Sequence, residues 1–143
     1  MREEDAPSHV ALLLELSEDE RVIVRTRRYV LDGKPVLVSR SYLPAKLVTG
    51  SPITQPDTGP GGTYARLRDL GYGPSRFRED LRARMPEPSE IQELELAAGT
   101  PVVEIIRTAY TDDGRAVEVN EMTADASAYV FRYDFDCYDF DVM

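Results

Sequence analysis

Arg25 and Arg27 lie two residues apart in the run RVIVRTRRYVL. There Val22, Val24 and Thr26 alternate with Ile23, Arg25 and Arg27, so both guanidinium groups leave the same side of a strand. Like charges that close are unfavourable unless solvent or an anion meets them. Further along, Gly59-Pro60-Gly61-Gly62-Thr63 opens a helical pattern that begins with Tyr64. A helix start offers unpaired N–H groups and the positive end of the backbone dipole, and an arginine beside it adds charge-assisted bonds to a phosphate or carboxylate. These residues describe an anion-binding pocket. They also fit a plainer reading in which the arginines are solvated or pair with some of the 26 acidic residues.

Other chemistry is sparse. His9 is the only histidine, which excludes a His-centred triad and a two-histidine zinc site. Cys137 is the only cysteine, so no disulfide forms within the chain, and Asp136 and Asp139 around it do not favour a nucleophilic thiolate. Asp134, Asp136, Asp139 and Asp141 alternate as in a strand and lack the glycine of a calcium loop. The expectation is no catalytic centre, no metal and no cofactor. With 26 acidic against 17 basic residues the net charge is −9, which opposes contact with a nucleic-acid backbone. No apolar stretch approaches 18 residues and no signal peptide is visible, so a cytoplasmic protein without a membrane partner is expected.

The elements that must position these groups read as one domain over residues 1–143. Residues Met1 to Pro7 are expected to fray, and Ser8 to cap a short helix reaching Leu14 or Leu16. Arg21 to Pro44 is a hairpin turned at Asp32-Gly33, since glycine accepts the positive φ of a tight turn. Ala45 to Gly62 carries Pro52, Pro56 and Pro60 among four glycines and is expected to be a long loop. Thr63 would cap a helix from Tyr64 to Leu70, and Phe77 to Met85 alternates as a strand ended by Pro86. Ser89 and Gln92 have capping-box spacing for a helix from Pro88 to Leu96. A second hairpin runs from Val102 to Met122, turned at Asp113-Gly114, and Tyr129, Phe131, Tyr133 and Phe135 share one face of an expected last strand. The result is an α+β domain with a mainly antiparallel six-stranded sheet and three short helices.

Part of this pattern occurs twice. Glu15-Leu16, Val22, Tyr29, Asp32-Gly33 and Val36 are matched by Glu95-Leu96, Val102, Tyr110, Asp113-Gly114 and Val117, so the domain reads as two related halves.

The segments RTRRYVLDGKPVLVSRSYLP, GPGGTYARLRDLG and LAAGTPVVEIIRTAYTDDGRAVEVNEMTADASAYVF together resemble the UTRA domain of HutC-type regulators in the GntR superfamily, from about Ala11 to Phe135. The resemblance implies a chorismate-lyase-like α+β fold, a homodimer, and a binding site for a small acidic or phosphorylated effector. It implies that DNA is contacted only through an N-terminal winged helix-turn-helix domain, for which this sequence has no room, so the chain is expected to be the sensor domain alone. Carried over by position, Arg27 meets the anionic group, Tyr64 stands at the helix start, and Glu118 and Ser39 face the ligand's polar body. Tyr29, Ser39, Gly62 and Ala124 stand where sugar-phosphate sensors tend to have arginine, an acid, serine and tyrosine, and Thr63 is adjacent to Gly62. The expected ligand-binding set is therefore Arg27, Thr63, Tyr64, Glu118, Gly62, Ser39 and Arg25. The alternatives are a lyase-like enzyme on the same fold and a domain that only dimerises.

Overall fold

The computed structural model describes residues 1–137. Strands β1 (Arg2–Asp5), β2 (Arg21–Leu31), β3 (Lys34–Pro44), β4 (Arg76–Arg84), β5 (Val102–Tyr110) and β6 (Ala116–Asp125) form a six-stranded sheet in the order β1-β2-β3-β6-β5-β4. Every neighbouring pair is antiparallel. Helices α1 (Ser8–Leu14), α2 (Ala45–Val48), α3 (Gly62–Asp69) and α4 (Pro88–Leu94) are all short. No described helix is long and apolar enough to cross a membrane.

The two halves are visible as β1-α1-β2-β3 and β4-α4-β5-β6. Helix α1 stops at Glu15 (φ 54°) and α4 at Glu95 (φ 49°), both left-handed. The next residue closes the same bond in each: Leu16 N–H to Ala11 O at 2.9 Å, Leu96 N–H to Ile91 O at 3.1 Å. The turns differ. Asp32 (φ 51°) and Gly33 (φ 81°) are both left-handed, as a two-residue hairpin turn requires, whereas in the second hairpin only Gly114 (φ 85°) is. That second turn is closed by Gly114 N–H to Thr111 O, and both hairpins carry a bulge before the turn, at Tyr29/Val30 and at Ala109/Tyr110.

Each face of the sheet has its own cover. On one, Val10 and Leu14 of α1 pack on Val22, Val24, Tyr42 and Val119, and Leu94 of α4 packs with Val102 and Val38. On the other, Val48, Ile53 and Leu67 from the connection between the halves pack on Ile23, Leu43 and Ala109. Burying such side chains stabilises by about 1.5–3 kcal/mol each, which holds the connection against the sheet.

Several expectations are corrected. The N-terminal residues do not fray; β1 pairs along the outer edge of β2, and Arg21 lies within ion-pair distance of Glu3 and Asp5. The count of six strands holds only because of β1, since Tyr129–Phe135 pairs with no strand and stays largely exposed. Alternation alone could not tell a buried face from rings stacked on one another, as Tyr129 on Phe131 and Tyr133 on Phe135 are. The expected acidic tail, Asp136 to Met143, lies mostly outside the described residues. Residues 45–62 are not a bare loop, because α2 and a 3-10 turn at Pro52–Thr54 bury Val48 and Ile53 completely. Ser8 makes no cap, and Gly61 rather than Thr63 precedes α3. At α4 the Glu90 carboxylate accepts the Glu87 N–H at 2.9 Å, so the box is Glu87/Glu90 and not Ser89/Gln92.

Candidate functional site

Residues paired directly across an antiparallel sheet point to the same face. Arg27 stands opposite Ser39, Arg25 opposite Ser41, Ser41 opposite Asn120, and Asn120 opposite Arg107. These side chains form a polar band over the middle of the sheet, on the face that carries the connection. Helix α3 brings Gly61, Gly62, Thr63 and Tyr64 over the band, enclosing a cavity of about 250 Å³. All seven residues expected from the sequence line it: Arg25, Arg27, Ser39, Gly62, Thr63, Tyr64 and Glu118.

Their environments differ. Arg25 is only 8% exposed, and its guanidinium donates to the carbonyls of Ile53 (2.7 Å), Gln55 and Pro56 (2.8 Å). Burial lowers its pKa, as does the charge of Arg27, but the three carbonyls occupy its donors. Arg25 latches the connection to the sheet. Arg27 is exposed, carries no ion pair among the described residues, and lies 5.9 Å from the centre of the Tyr29 ring. Among the described residues none of its donors meets a carboxylate or carbonyl.

At the start of α3, Gly61 (φ 88°) and Gly62 (φ 72°) are both left-handed, which admits only glycine without strain. A Cβ on Gly61 would stand 2.7 Å from the Ala65 Cβ, while one on Gly62 would meet open space. No side chain caps this end; the Gly62 N–H bonds Gly59 O at 3.2 Å, and the N–H groups that follow it in the first turn remain for an incoming acceptor. Thr63 is a helical residue rather than the cap. Tyr64 donates its hydroxyl to Glu118 Oε1 at 2.7 Å, and the Ser41 hydroxyl donates to Oε2. Burial pushes the Glu118 carboxyl, 3% exposed, above its ordinary range; the bonds from Ser41 and Tyr64 and the charge of Arg107 oppose this. Burial also raises the Tyr64 hydroxyl, with Glu118 adding to the effect. The site is thus a cationic end at Arg27 and a buried hydrogen-bonding end around Glu118.

Five lining residues were not in the expected set: Tyr29 and Gly61, which adjoin expected positions, and Ser41, Asn120 and Arg107. The Ser39 hydroxyl donates to Asn120 Oδ1 at 2.8 Å. Arg107 Nε donates to Glu79 at 2.7 Å, and its guanidinium lies against Tyr64. The repeat carried the signal for Arg107, which falls on the same strand of the second half as Arg27 on the first. Ser41 and Asn120 carry no such mark; only the strand register reveals them. Among the described residues no group of His, Cys, Asp and Glu side chains is arranged to hold a metal ion. His9 meets Glu121 on the opposite face of the sheet, at 2.6 Å.

The UTRA domain family model matches residues 1–130. An HTH-type transcriptional regulator of Streptomyces coelicolor is 35% identical over 133 residues, covering 91% of this chain and 49% of that protein. The chain spans less than half the length of the curated relatives it matches. Among solved structures, the ligand-binding domain of a GntR-family regulator from Bordetella bronchiseptica superposes with a TM-score of 0.83 at 24% identity, covering 94% of this chain and 86% of that one. A transcriptional regulator from Streptomyces coelicolor does so with a TM-score of 0.78 at 30% identity, covering 93% and 87%.

Proposed function

The chain belongs to the UTRA domain family, and on that premise we propose that it is the effector-binding domain of a GntR-superfamily, HutC-type transcription regulator. It binds a small acidic or phosphorylated metabolite, acts as a homodimer in the cytoplasm, and controls DNA binding by a separate winged helix-turn-helix domain. The relatives support this reading, being HTH-type regulators about twice the length of the match. The net charge of −9 fits a domain that leaves DNA contact to another. The single observation that carries the ligand class is an exposed, unpaired Arg27 facing an uncapped helix start across one cavity.

In this reading Arg27 and the N–H group of Thr63 hold the anionic group beside Gly62, whose own N–H bonds Gly59 O at 3.2 Å, and Tyr64, Glu118 and Ser39 meet the polar body. Arg25 holds the connection that carries α3, so its part is positioning rather than contact. An effector switches the regulator only by binding one dimer arrangement better than another. The test is thermal unfolding against sugar phosphates, organic acids and phosphate, repeated with Arg27→Ala. A ligand at a hundred times its Kd adds about 2.7 kcal/mol, a shift of several degrees for a domain of this size. Shifts from anionic compounds that vanish in Arg27→Ala are expected; shifts that persist unchanged in the variant would sink the assignment.

A further inference from the structure

Arg40 stands directly opposite Glu121 in the β3–β6 ladder. If β3 and β6 are aligned by their turns, Asp32-Gly33 on Asp113-Gly114, each of these two residues is the other's counterpart, so the axis relating the halves passes between them. Ser39 then corresponds to Asn120. Aligned by their helix stops, Glu15 on Glu95, β2 and β5 place Arg27 on Arg107. The cavity therefore straddles the axis, with Ser39 bonded to Asn120 near its middle and an equivalent arginine from each half at its two ends.

The two arginines are held differently. Strand β1 pairs with β2 only from Arg2 opposite Val24 to Asp5 opposite Arg21, so no β1 residue stands beside Arg27. Strand β4 runs past Arg107 and sets Glu79 directly opposite it. Glu79 engages Nε, and the Nη groups have no carboxylate hydrogen-bonded to them among the described residues. An arginine fixed along one edge by a carboxylate presents its remaining donors in a set direction, which suits a planar acidic group. Glu118 also faces Arg107, but its two oxygens already accept from the Tyr64 and Ser41 hydroxyls.

We propose that the site takes an elongated ligand with an acidic group at each end, one on Arg27 and one on Arg107, its middle lying over Ser39 and Asn120. This rests on the effector-binding reading and narrows its ligand class. The backbones of β2 and β5 are three strand spacings apart, roughly 14 Å, and the two side chains reach inward from them.

The experiment is titration calorimetry of the domain with linear α,ω-dicarboxylates from butanedioate to decanedioate and with the monocarboxylate of each length. One diacid of intermediate length is expected to bind roughly tenfold or more tightly than its monoacid, the worth of a second charge-assisted contact. Arg107→Gln should reduce that diacid to about the monoacid's affinity and cost the monoacid much less, while Arg107→Lys retains part of the advantage. Equal affinity of mono- and diacids for the unaltered protein would overturn the proposal without any variant having to fold. So would an equal loss for both in Arg107→Gln. Monoacid binding that needs Arg27 but gains nothing from a second acid rejects only this inference; failure of every acid and of inorganic phosphate to bind the folded domain rejects the sensor reading with it.

Discussion

The two halves share a scaffold and divide their chemistry. Both end their helix at a left-handed glutamate and lead through a four-residue turn into a hairpin, with Glu20 N–H bonded to Ser17 O and Thr100 N–H to Ala97 O, both at 3.1 Å. Across the same alignment, Arg25 corresponds to Ile105 and Glu118 to Leu37. Ile105 and Leu37 pack together in one apolar cluster with Met122 and Ala124. Where one half puts a hydrophobe on the sheet, the other puts an ion, and the ions collect on the side where the connection covers the sheet. The scaffold is set by helix stops and turns, which tolerate such exchanges; the site arises from breaking the repeat at a few inward positions.

The sharpest way to break this comparison is Arg25→Ala. Three carbonyls, that of Ile53 buried and those of Gln55 and Pro56 partly so, would lose a charged donor, at a cost of about 2 kcal/mol in urea-induced unfolding, and the Thr49–Gly61 connection should become open to protease. If stability held and only anion binding fell, Arg25 would be a ligand contact and its latch role wrong.

Next is Glu118 against its apolar counterpart. Its folded pKa is raised, so its contribution is complete below the unfolded value, about 4.3, and is lost as pH rises through the folded one. Unfolding free energy should therefore decline with pH above about 4.3 by more in the natural chain than in Glu118→Gln. Tyr64, Ser41 and Arg107 all face this group, and each opposes the shift in part. A profile identical in the two proteins would mean that Glu118 is ionised like a surface carboxylate.

The equivalent arginines give a smaller contrast. Arg107→Ala strands Glu79 and should cost about 1 kcal/mol, discounted because both partners are partly exposed, whereas Arg27→Ala should stay within about 0.5 kcal/mol. Equal costs would remove the asymmetry on which the assignment of Arg27 rests. Smallest of all, Glu15→Gly and Glu95→Gly should each stabilise by about 0.5 kcal/mol, since both positions need a left-handed residue. A gain in one and a loss in the other would show that the two helix stops are not alike.

How much was legible in the sequence follows from the same contrast. The hairpins, the helix stops and the repeat were readable because each rests on a local signal, a D-G turn or a two-residue period. The site's first members were readable because Arg27, Gly62 and Tyr64 combine charge with a helix start, while Ser39 and Glu118 came through the family resemblance. Arg25 lines the cavity as its type and spacing suggested, but its donors meet the carbonyls of Ile53, Gln55 and Pro56, a contact 28 or more residues away that no pattern encodes. The strand β1 was missed because REED has neither alternation nor β-branched residues, and only the edge of β2 orders it. Tyr129–Phe135 erred the other way: its period is strong, yet it joins neither outer edge of the sheet.

Strand β4 has one edge on β5 and, among the described residues, the other unpaired along its nine residues, a template on which the sheet of a second molecule could join. On one face it carries Arg76, Arg78 and Arg82 around Asp80, while Arg84 is ion-paired with Glu90 and Glu104. Antiparallel joining of two copies about Asp80 would oppose Arg78 to Arg82 at close range, which is repulsive. That repulsion guards against filament growth while ions are scarce, and it shortens with the Debye length, to roughly 3 Å at 1 M salt. Concentrated salt, which ordinarily favours compact proteins, is thus the condition under which this one would begin to assemble edge to edge.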